Sequence, residues 1–279
     1  MTFVEKSFVT RDGLRIYYRD YAGPTAATSL LCLPGSTGTV RNFEDVAPRW
    51  ARTRRVLVMD WRGHGRSDYD ADYRHYSFQT DADDVLELLK HEGLKRVAIV
   101  GTSRGGIVSF VLAEQRPDVL AGVVLNDIWP VSGGTGRKRL NRNFEVPHSF
   151  VSFEEAGAFM KKTQVSGVSW TDAEWTKRAT EFYRMREDGR IRADVDPGYI
   201  KTFREIPARD QWSGFAAMKA LPVLTVRGAL SDILDQPTLD EMRRRKPEMA
   251  IAVVPGRAHC PTLSEPEATV AIDAFLTNI

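Results

Sequence analysis

The stretch Arg96-Val97-Ala98-Ile99-Val100-Gly101-Thr102-Ser103-Arg104-Gly105-Gly106 decides the fold and points to the chemistry. Its apolar, β-branched first half predicts a buried strand, and residues 107–114 beyond it have a helical pattern. A strand that turns sharply into a helix strains the backbone at the turn, and the glycines around Ser103 remove Cβ atoms that would clash there. We therefore expect the Ser103 hydroxyl to project above the sheet edge, beside helical N–H groups that can stabilise an anion.

The composition limits the classes of partner. The 279 residues can bury a full-sized core, and the net charge of +2 provides no general field for nucleic acid or an anionic membrane. Two cysteines are too few for a secreted disulfide scaffold, and the amino-terminal residues lack the apolar segment of a signal peptide. No run of 18 uncharged apolar residues occurs. Together, the charge, the cysteine count and the missing apolar segments lead us to expect a cytoplasmic protein with no membrane or nucleic-acid partner.

Apolar runs alternate with helical patterns along most of the chain. Two early runs lie on either side of Arg11-Asp12-Gly13, a sequence typical of a hairpin turn. Six further runs read as strands of a parallel sheet that is buried on both faces: residues 29–33, 55–59, 97–100, 122–125, 223–226 and 251–254. This alternation predicts an α/β fold with a doubly wound, mostly parallel sheet.

The alternation stops after residues 122–125, which form the sixth predicted strand when the two early runs are counted as the first two. Residues 131–212 carry helix signals without strand signals, including the capping boxes Ser152–Glu155 and Thr171–Glu174, and predict a helical insertion. Residues 1–130 and 213–279 would then form the core domain. The insertion is rich in aromatic residues, some of which could reach a pocket: Trp170, Trp175, Phe182, Tyr183, Tyr199 and Phe203.

A serine becomes a good nucleophile only when a base accepts its proton and an acid orients that base. Among five histidines, His259 follows the last predicted strand, where ligand sites of open α/β sheets assemble. The acid should come from another loop at this edge. Asp232, after the preceding strand, is the preferred candidate, and Asp127, after the sixth strand, is the alternative.

The order Ser103, Asp232, His259 resembles that of the α/β-hydrolases, and Asp60-Trp61-Arg62-Gly63-His64-Gly65-Arg66-Ser67 is similar to a turn of the capped serine hydrolases of this superfamily. The resemblance spans nearly the whole chain. It implies that residues 131–212 cap the active site and that the loop after the third strand supplies part of an oxyanion hole. That loop has Pro34 where relatives usually have histidine. Because the hole needs backbone N–H groups, we expect those of Ser36 and Arg104 to form it.

Serine at position 103, where similar dehalogenases and epoxide hydrolases have aspartate, indicates acyl chemistry. Arg104 resembles the arginine that follows the nucleophile of fluoroacetate dehalogenases, and could bind a substrate carboxylate. The alternative is that Arg104 points away and pairs with an acid behind the helix. Trp129, at the start of the insertion, is a second candidate substrate contact.

The sequence thus predicts a serine hydrolase that cleaves a carboxylic ester or lactone through an acyl-enzyme, with C–C and amide bonds as further options. The expected substrate is a medium-sized, partly apolar small molecule, with a carboxylate if Arg104 faces it. No cofactor is expected, and no cluster with metal-ligand spacing occurs. A binding or signalling protein on the same fold, and an acyltransferase or perhydrolase with the same triad, remain alternatives. The oligomeric state is not indicated.

Overall fold

An eight-stranded sheet forms the centre of the computed structural model, which describes residues 2–130, 136, 138–140, 148–205 and 209–279. The strands of this sheet are β1 (Val4–Val9), β2 (Arg15–Tyr21), β3 (Leu30–Leu33), β4 (Val56–Met59), β5 (Val97–Thr102), β6 (Leu120–Asn126), β9 (Val223–Gly228) and β10 (Ala250–Val254). They lie in the order β1-β2-β4-β3-β5-β6-β9-β10, and β2 alone runs against the others. The predicted α/β class and mostly parallel sheet are confirmed.

Both faces of the sheet are buried, as the continuous apolar runs predict. Side chains alternate between two hydrophobic clusters, so that Leu31 and Leu33 pack on one face while Leu30 and Cys32 pack on the other. The first face is covered by α2 (Phe78–His91), α3 (Arg104–Gln115), α7 (Trp212–Ala217) and α8 (Gln236–Arg245). The second is covered by α1 (Ala47–Trp50) and α9 (Pro266–Thr277).

The chain leaves the main sheet between β6 and β9. The described part of this insertion contains α4 (Phe153–Thr163), α5 (Asp172–Phe182) and α6 (Pro197–Glu205), and the predicted caps Ser152 and Thr171 begin α4 and α5. A small core of its own, including Phe150, Ala156, Ala179 and Ile191, holds α4 against α5.

The insertion also contains a hairpin that the sequence analysis missed. Strands β7 (Tyr183–Met185) and β8 (Ile191–Ala193) pair antiparallel around Asp188 and Gly189, and Gly189 has φ +72°. An Asp-Gly pair is the same turn signal that marks the first hairpin, so the signal was present in the sequence. The division into core and cap at residues 131 and 212 stays a prediction.

The insertion contacts the core at the turn that contains Gly63 and Gly65. The Gly65 N–H donates to the Asp194 carbonyl at 2.9 Å, and the Asp196 N–H donates to the Gly63 carbonyl at 2.7 Å. These backbone bonds fix the insertion above the carboxyl ends of the parallel strands, where ligand sites of such sheets form. Within the described ranges, no helix has the length and apolar character needed to cross a bilayer.

Candidate active site

Ser103 lies at a strained turn between β5 and α3. Its backbone has φ 49° and ψ −108°, a conformation that residues with a side chain rarely adopt. A Cβ on Gly101 would come within 2.6 Å of the Gly105 backbone, and one on Gly105 within 2.4 Å of the Leu33 carbonyl oxygen. Only glycine fits at these two positions, which explains the sequence pattern around the serine.

His259 contacts Ser103 as the sequence predicts. Its Nε2 lies 3.1 Å from Ser103 Oγ, and its Nδ1 lies 2.8 Å from an oxygen of Asp127. The ring is almost fully buried, and from the insertion Gln164 donates to the His259 carbonyl at 3.0 Å. The imidazole therefore joins Ser103 to a carboxylate, with each ring nitrogen in hydrogen-bond contact.

The end of β6 positions Asp127 for its contact with His259. Its backbone has φ 54°, and its fully buried carboxylate accepts hydrogen bonds from the Gly228 N–H at 3.0 Å and from Ser231 Oγ at 2.6 Å. These donors, with His259, fix both carboxylate oxygens. A carboxylate held in this way can keep an imidazole in one tautomer and one orientation.

The preferred acid, Asp232, does not contact His259 in this geometry. Both of its oxygens accept from Arg139 at 2.8 Å, whereas the preceding residue, Ser231, turns toward Asp127. Burial raises the pKa of Asp232, but the Arg139 guanidinium outweighs it and holds the pKa below the usual value. Asp232 therefore serves as an ion-pair partner between the insertion and the β9 loop, and the alternative, Asp127, contacts the base.

Arg104 does not face the space above Ser103, which corrects its assignment as a substrate-binding residue. The guanidinium is buried, with Nε 2.7 Å from Asp81 and Nη1 2.5 Å from the Tyr199 hydroxyl, and it lies 4.7 Å from the Tyr199 ring centre. This contact with Asp81 is the arrangement that the alternative described, a pair with an acid behind the helix. Trp129 is likewise buried in the main core and does not line the cavity.

The loop after β3 is held beside the Ser103 turn by hydrogen bonds to the Pro34 carbonyl. The Pro34 carbonyl accepts from Trp61 Nε1 at 3.1 Å and from the Gly105 N–H at 3.2 Å. A proline at this position therefore keeps both hydrogen bonds to its carbonyl. In the ranges that the structure describes, the N–H groups of Ser36 and Arg104 have no hydrogen-bond acceptor. These two donors are free for a ligand near Ser103.

His64 is a site residue that the sequence analysis did not single out. Its Nε2 lies 2.9 Å from the Ser36 carbonyl and its Nδ1 lies 2.9 Å from the Arg62 carbonyl. Burial, with a contribution from Arg104, lowers the pKa of His64 to about 4, so the ring is neutral at pH 7. As a neutral ring it donates to only one of these two carbonyls, and its contact with the Ser36 carbonyl places it beside the loop that carries the Ser36 N–H. Its position in the glycine-rich turn was the available signal.

A cavity of about 740 Å³ lies over Ser103 and His259. Aromatic side chains form much of its wall, including four of the six singled out in the sequence: Trp170, Trp175, Phe182 and Tyr183. Tyr199 instead pairs with Arg104, and the Phe203 side chain lies outside the described residues. Five cations also line the cavity: Arg139, Arg178, Arg186, Arg192 and Lys201. The cavity thus has the size and mixed lining of a small-molecule site.

Among the residues that the structure describes, one cluster has the spacing of metal ligands, and it includes none of Ser103, Asp127 and His259. Oxygen and nitrogen atoms of Asp12, Asp70 and His75 lie within 4.8 Å of one another. Arg62 already contacts Asp12 and Asp70 at 2.9 Å each, so a guanidinium supplies the positive charge between these carboxylates. The cluster fits a salt-bridge network better than a metal centre.

The fold and the Ser-His-Asp geometry together define a hydrolase of the α/β class. Residues 30–272 match the family described as the alpha/beta hydrolase family, to which this chain therefore belongs. An alpha/beta hydrolase from Novosphingobium aromaticivorans is 32% identical and superposes with a TM-score of 0.93 over 99% of both chains.

Two curated relatives have more specific names. The 3-hydroxybutyrate-oligomer hydrolase of Cupriavidus necator is 29% identical over 274 residues, which cover 95% of this chain and 93% of the relative. The N-formylmaleamate deformylase of Pseudomonas putida is 26% identical over 260 residues, which cover 92% and 91%. Both relatives match this chain over nearly its whole length, and their names specify different molecules.

Proposed function

We propose that this protein is a serine hydrolase that cleaves a carboxylic ester or lactone through an acyl-enzyme on Ser103. One observation carries the proposal. Ser103 Oγ, His259 and Asp127 form a continuous chain of contacts, 3.1 Å and 2.8 Å long, beside the cavity. This arrangement can turn a hydroxyl into a nucleophile.

The proton moves in a defined direction. Because Asp127 accepts only, His259 Nδ1 carries a hydrogen and Nε2 presents its lone pair to Ser103. His259 takes the hydroxyl proton as Ser103 attacks the carbonyl carbon, and then gives it to the leaving alcohol. Asp127 stabilises the imidazolium that forms between these steps.

The N–H groups of Ser36 and Arg104 would hold the oxyanion of the tetrahedral intermediate. Their freedom from other acceptors in the described chain supports this role, as do their positions, since Arg104 follows Ser103 directly and Ser36 lines the same cavity as Ser103. A Cβ built on Gly35 would lie 3.6 Å from Ser103 Cβ, which places the β3 loop against the nucleophile. Each such donor contributes about 3 to 4 kcal/mol to the transition state.

Water completes the cycle by attacking the acyl-enzyme, with His259 now removing a proton from the water molecule. Every proton in this sequence moves between Ser103, His259 and the reactants, so the mechanism requires no cofactor. The cavity supports a medium-sized, partly apolar substrate. The relative named for N-formylmaleamate supports cleavage of an N-acyl bond as a second candidate, because the same triad serves amides.

A fluorophosphonate probe tests the proposal directly, since it modifies a serine activated by a working base. We expect one adduct in the mass of the intact protein, and no adduct in Ser103→Ala. The variant should lose on the order of 10⁶ in turnover of p-nitrophenyl hexanoate while keeping its unfolding temperature. A loss of only a few fold would refute the mechanism. Ligand binding that persists in Ser103→Ala without turnover in the wild type would support a binding protein, and product capture by added alcohol would indicate a transferase.

A further inference from the structure

Helix α5 places two donors in the wall of the cavity. Trp175 and Arg178 are three residues apart, which puts them on the same face of the helix, and both line the cavity. Both side chains are more than nine-tenths buried. The two groups therefore lie side by side in a region that little water reaches.

Trp175 holds a donor without an acceptor. Its indole Nε1 is buried, and no group in the described part of the chain accepts a hydrogen bond from it. The ring is fixed edge-on against Trp170, with ring centres 4.6 Å apart. A buried donor left unpaired costs about 1 to 3 kcal/mol, so an acceptor that reached Nε1 on ligand binding would recover that cost.

Arg178 has one edge engaged and one edge without a strong acceptor. Its Nη1 pairs with Glu181 on the same helix, while its Nη2 lies 3.9 Å from the sulfur of Cys260. Burial raises the pKa of that thiol to about 12, so Cys260 is neutral and accepts only weakly. The guanidinium is held over the Phe182 ring at 4.8 Å, which keeps the Nη2 edge in place.

The charge of the lining agrees with an anionic ligand. Among the described residues that line the cavity are five cations and no aspartate or glutamate. Four of these cations, Arg139, Arg178, Arg186 and Arg192, each pair with a carboxylate outside the lining: Asp232, Glu181, Asp194 and Asp188. Arg178 differs from the others in its depth, because it contacts the residue next to His259.

We propose that Trp175 Nε1 and Arg178 Nη2 bind a free carboxylate of the substrate, and that the hydrolase therefore acts on acyl compounds that carry a carboxylate. The inference rests on the proposed function for the reaction at Ser103. A planar carboxylate matches two N–H donors on one helix face, one of which belongs to a guanidinium. Since Cys260 follows His259, the bound carboxylate lies on the side of the cavity near the base.

Two esters with the same leaving group test the inference. Mono-p-nitrophenyl glutarate carries a carboxylate, whereas p-nitrophenyl hexanoate has an acyl chain of similar length without one. The wild type should favour the glutarate ester in kcat/KM. Trp175→Phe keeps the ring and removes the N–H, so the ratio of the two kcat/KM values should fall by about 10-fold. Arg178→Met should lower the ratio by about 10- to 100-fold.

Two further variants separate binding from folding and from simple charge. Lys177→Met removes an exposed positive charge from the same helix, where Lys177 pairs with Asp45 of the core, and should keep the ratio. Arg178→Met combined with Glu181→Gln removes the buried ion pair as a whole, and should show the same low ratio if Arg178→Met is unstable. Calorimetric titration with glutarate supplies a measurement that does not depend on turnover.

The outcomes distinguish the two proposals. If the wild type reacts with the fluorophosphonate and cleaves the hexanoate ester, but Trp175→Phe and Arg178→Met keep the ratio, the carboxylate site is refuted and the hydrolase stands. If the probe gives no adduct, yet glutarate binds the wild type and not Arg178→Met, the site stands without the hydrolase. Equal loss of the ratio in Lys177→Met would reduce the effect to net charge and also overturn the site.

Discussion

Exchanging Asp127 and Asp232, one at a time, for asparagine tests which carboxylate orients the base. In Asp127→Asn the amide oxygen can still accept from the Gly228 N–H, which lies 3.0 Å from one carboxylate oxygen. The amide nitrogen then faces His259 Nδ1 at the present 2.8 Å contact and donates to it. This donor forces the imidazole hydrogen onto Nε2, where it points at Ser103 and removes the base.

The size of the effect follows from that tautomer. Loss of the carboxylate in such a triad costs about 10⁴ in kcat, which corresponds to about 5.5 kcal/mol of transition-state stabilisation. In Asp232→Asn only the two 2.8 Å bonds from Arg139 are weakened, and neither residue contacts the imidazole. We expect kcat within about threefold of the wild type and a loss of about 1 to 2 kcal/mol in the free energy of unfolding.

The assay is the rate of p-nitrophenyl ester cleavage for both variants, with fluorophosphonate labelling and urea unfolding on the same preparations. Asp127→Asn should label slowly and unfold cooperatively. If instead Asp232→Asn loses three or more orders of magnitude while Asp127→Asn keeps most of the rate, the orienting acid is Asp232. The geometry described here would then not be the reactive one.

The remaining predictions concern the residues behind the nucleophile. His64 has a folded pKa of about 4, below its unfolded value, so the folded state binds fewer protons and stability falls as pH falls from about 6.5 to 4. Between pH 7 and pH 4, urea unfolding should show that the free energy of unfolding falls by about 3 kcal/mol more in the wild type than in His64→Gln. Equal losses in both proteins would contradict this explanation. Arg104→Met should lower the free energy of unfolding by about 3 to 5 kcal/mol because it leaves Asp81 buried and unpaired, and adding Asp81→Asn should restore part of it. A fully stable Arg104→Met that binds carboxylate esters poorly would show that Arg104 contacts substrate after all.

The features that the sequence predicted depend on local signals. The buried strands follow from apolar runs, and the turn at Ser103 follows from glycines at positions that tolerate no side chain. The approximate position of His259 follows from the rule that parallel strands present their carboxyl ends at one edge. Each of these inferences needs only neighbouring residues and the general geometry of a sheet.

The features that were missed depend on contacts between distant residues. Asp127 and Asp232 follow the adjacent strands β6 and β9, so the sequence places both near His259 without showing where each side chain points. Arg139, which turns Asp232 away, lies 93 residues earlier in the chain. The orientation of Arg104 depends likewise on Asp81 and Tyr199, which no pattern around Ser103 reveals.

The separate small core of the insertion has a consequence for how this enzyme can change. Phe150, Ala156, Ala179 and Ile191 hold α4 against α5 without help from the sheet, while Ser103, Asp127 and His259 are all supported by the ends of sheet strands. Exchanging a side chain of α4 or α5 that faces the cavity therefore disturbs the packing of only a few residues and leaves Ser103, Asp127 and His259 in place. Under the proposed function, the residues that select the substrate and those that carry the reaction would be stabilised by different parts of the chain, so the first set could change while the second stays constant.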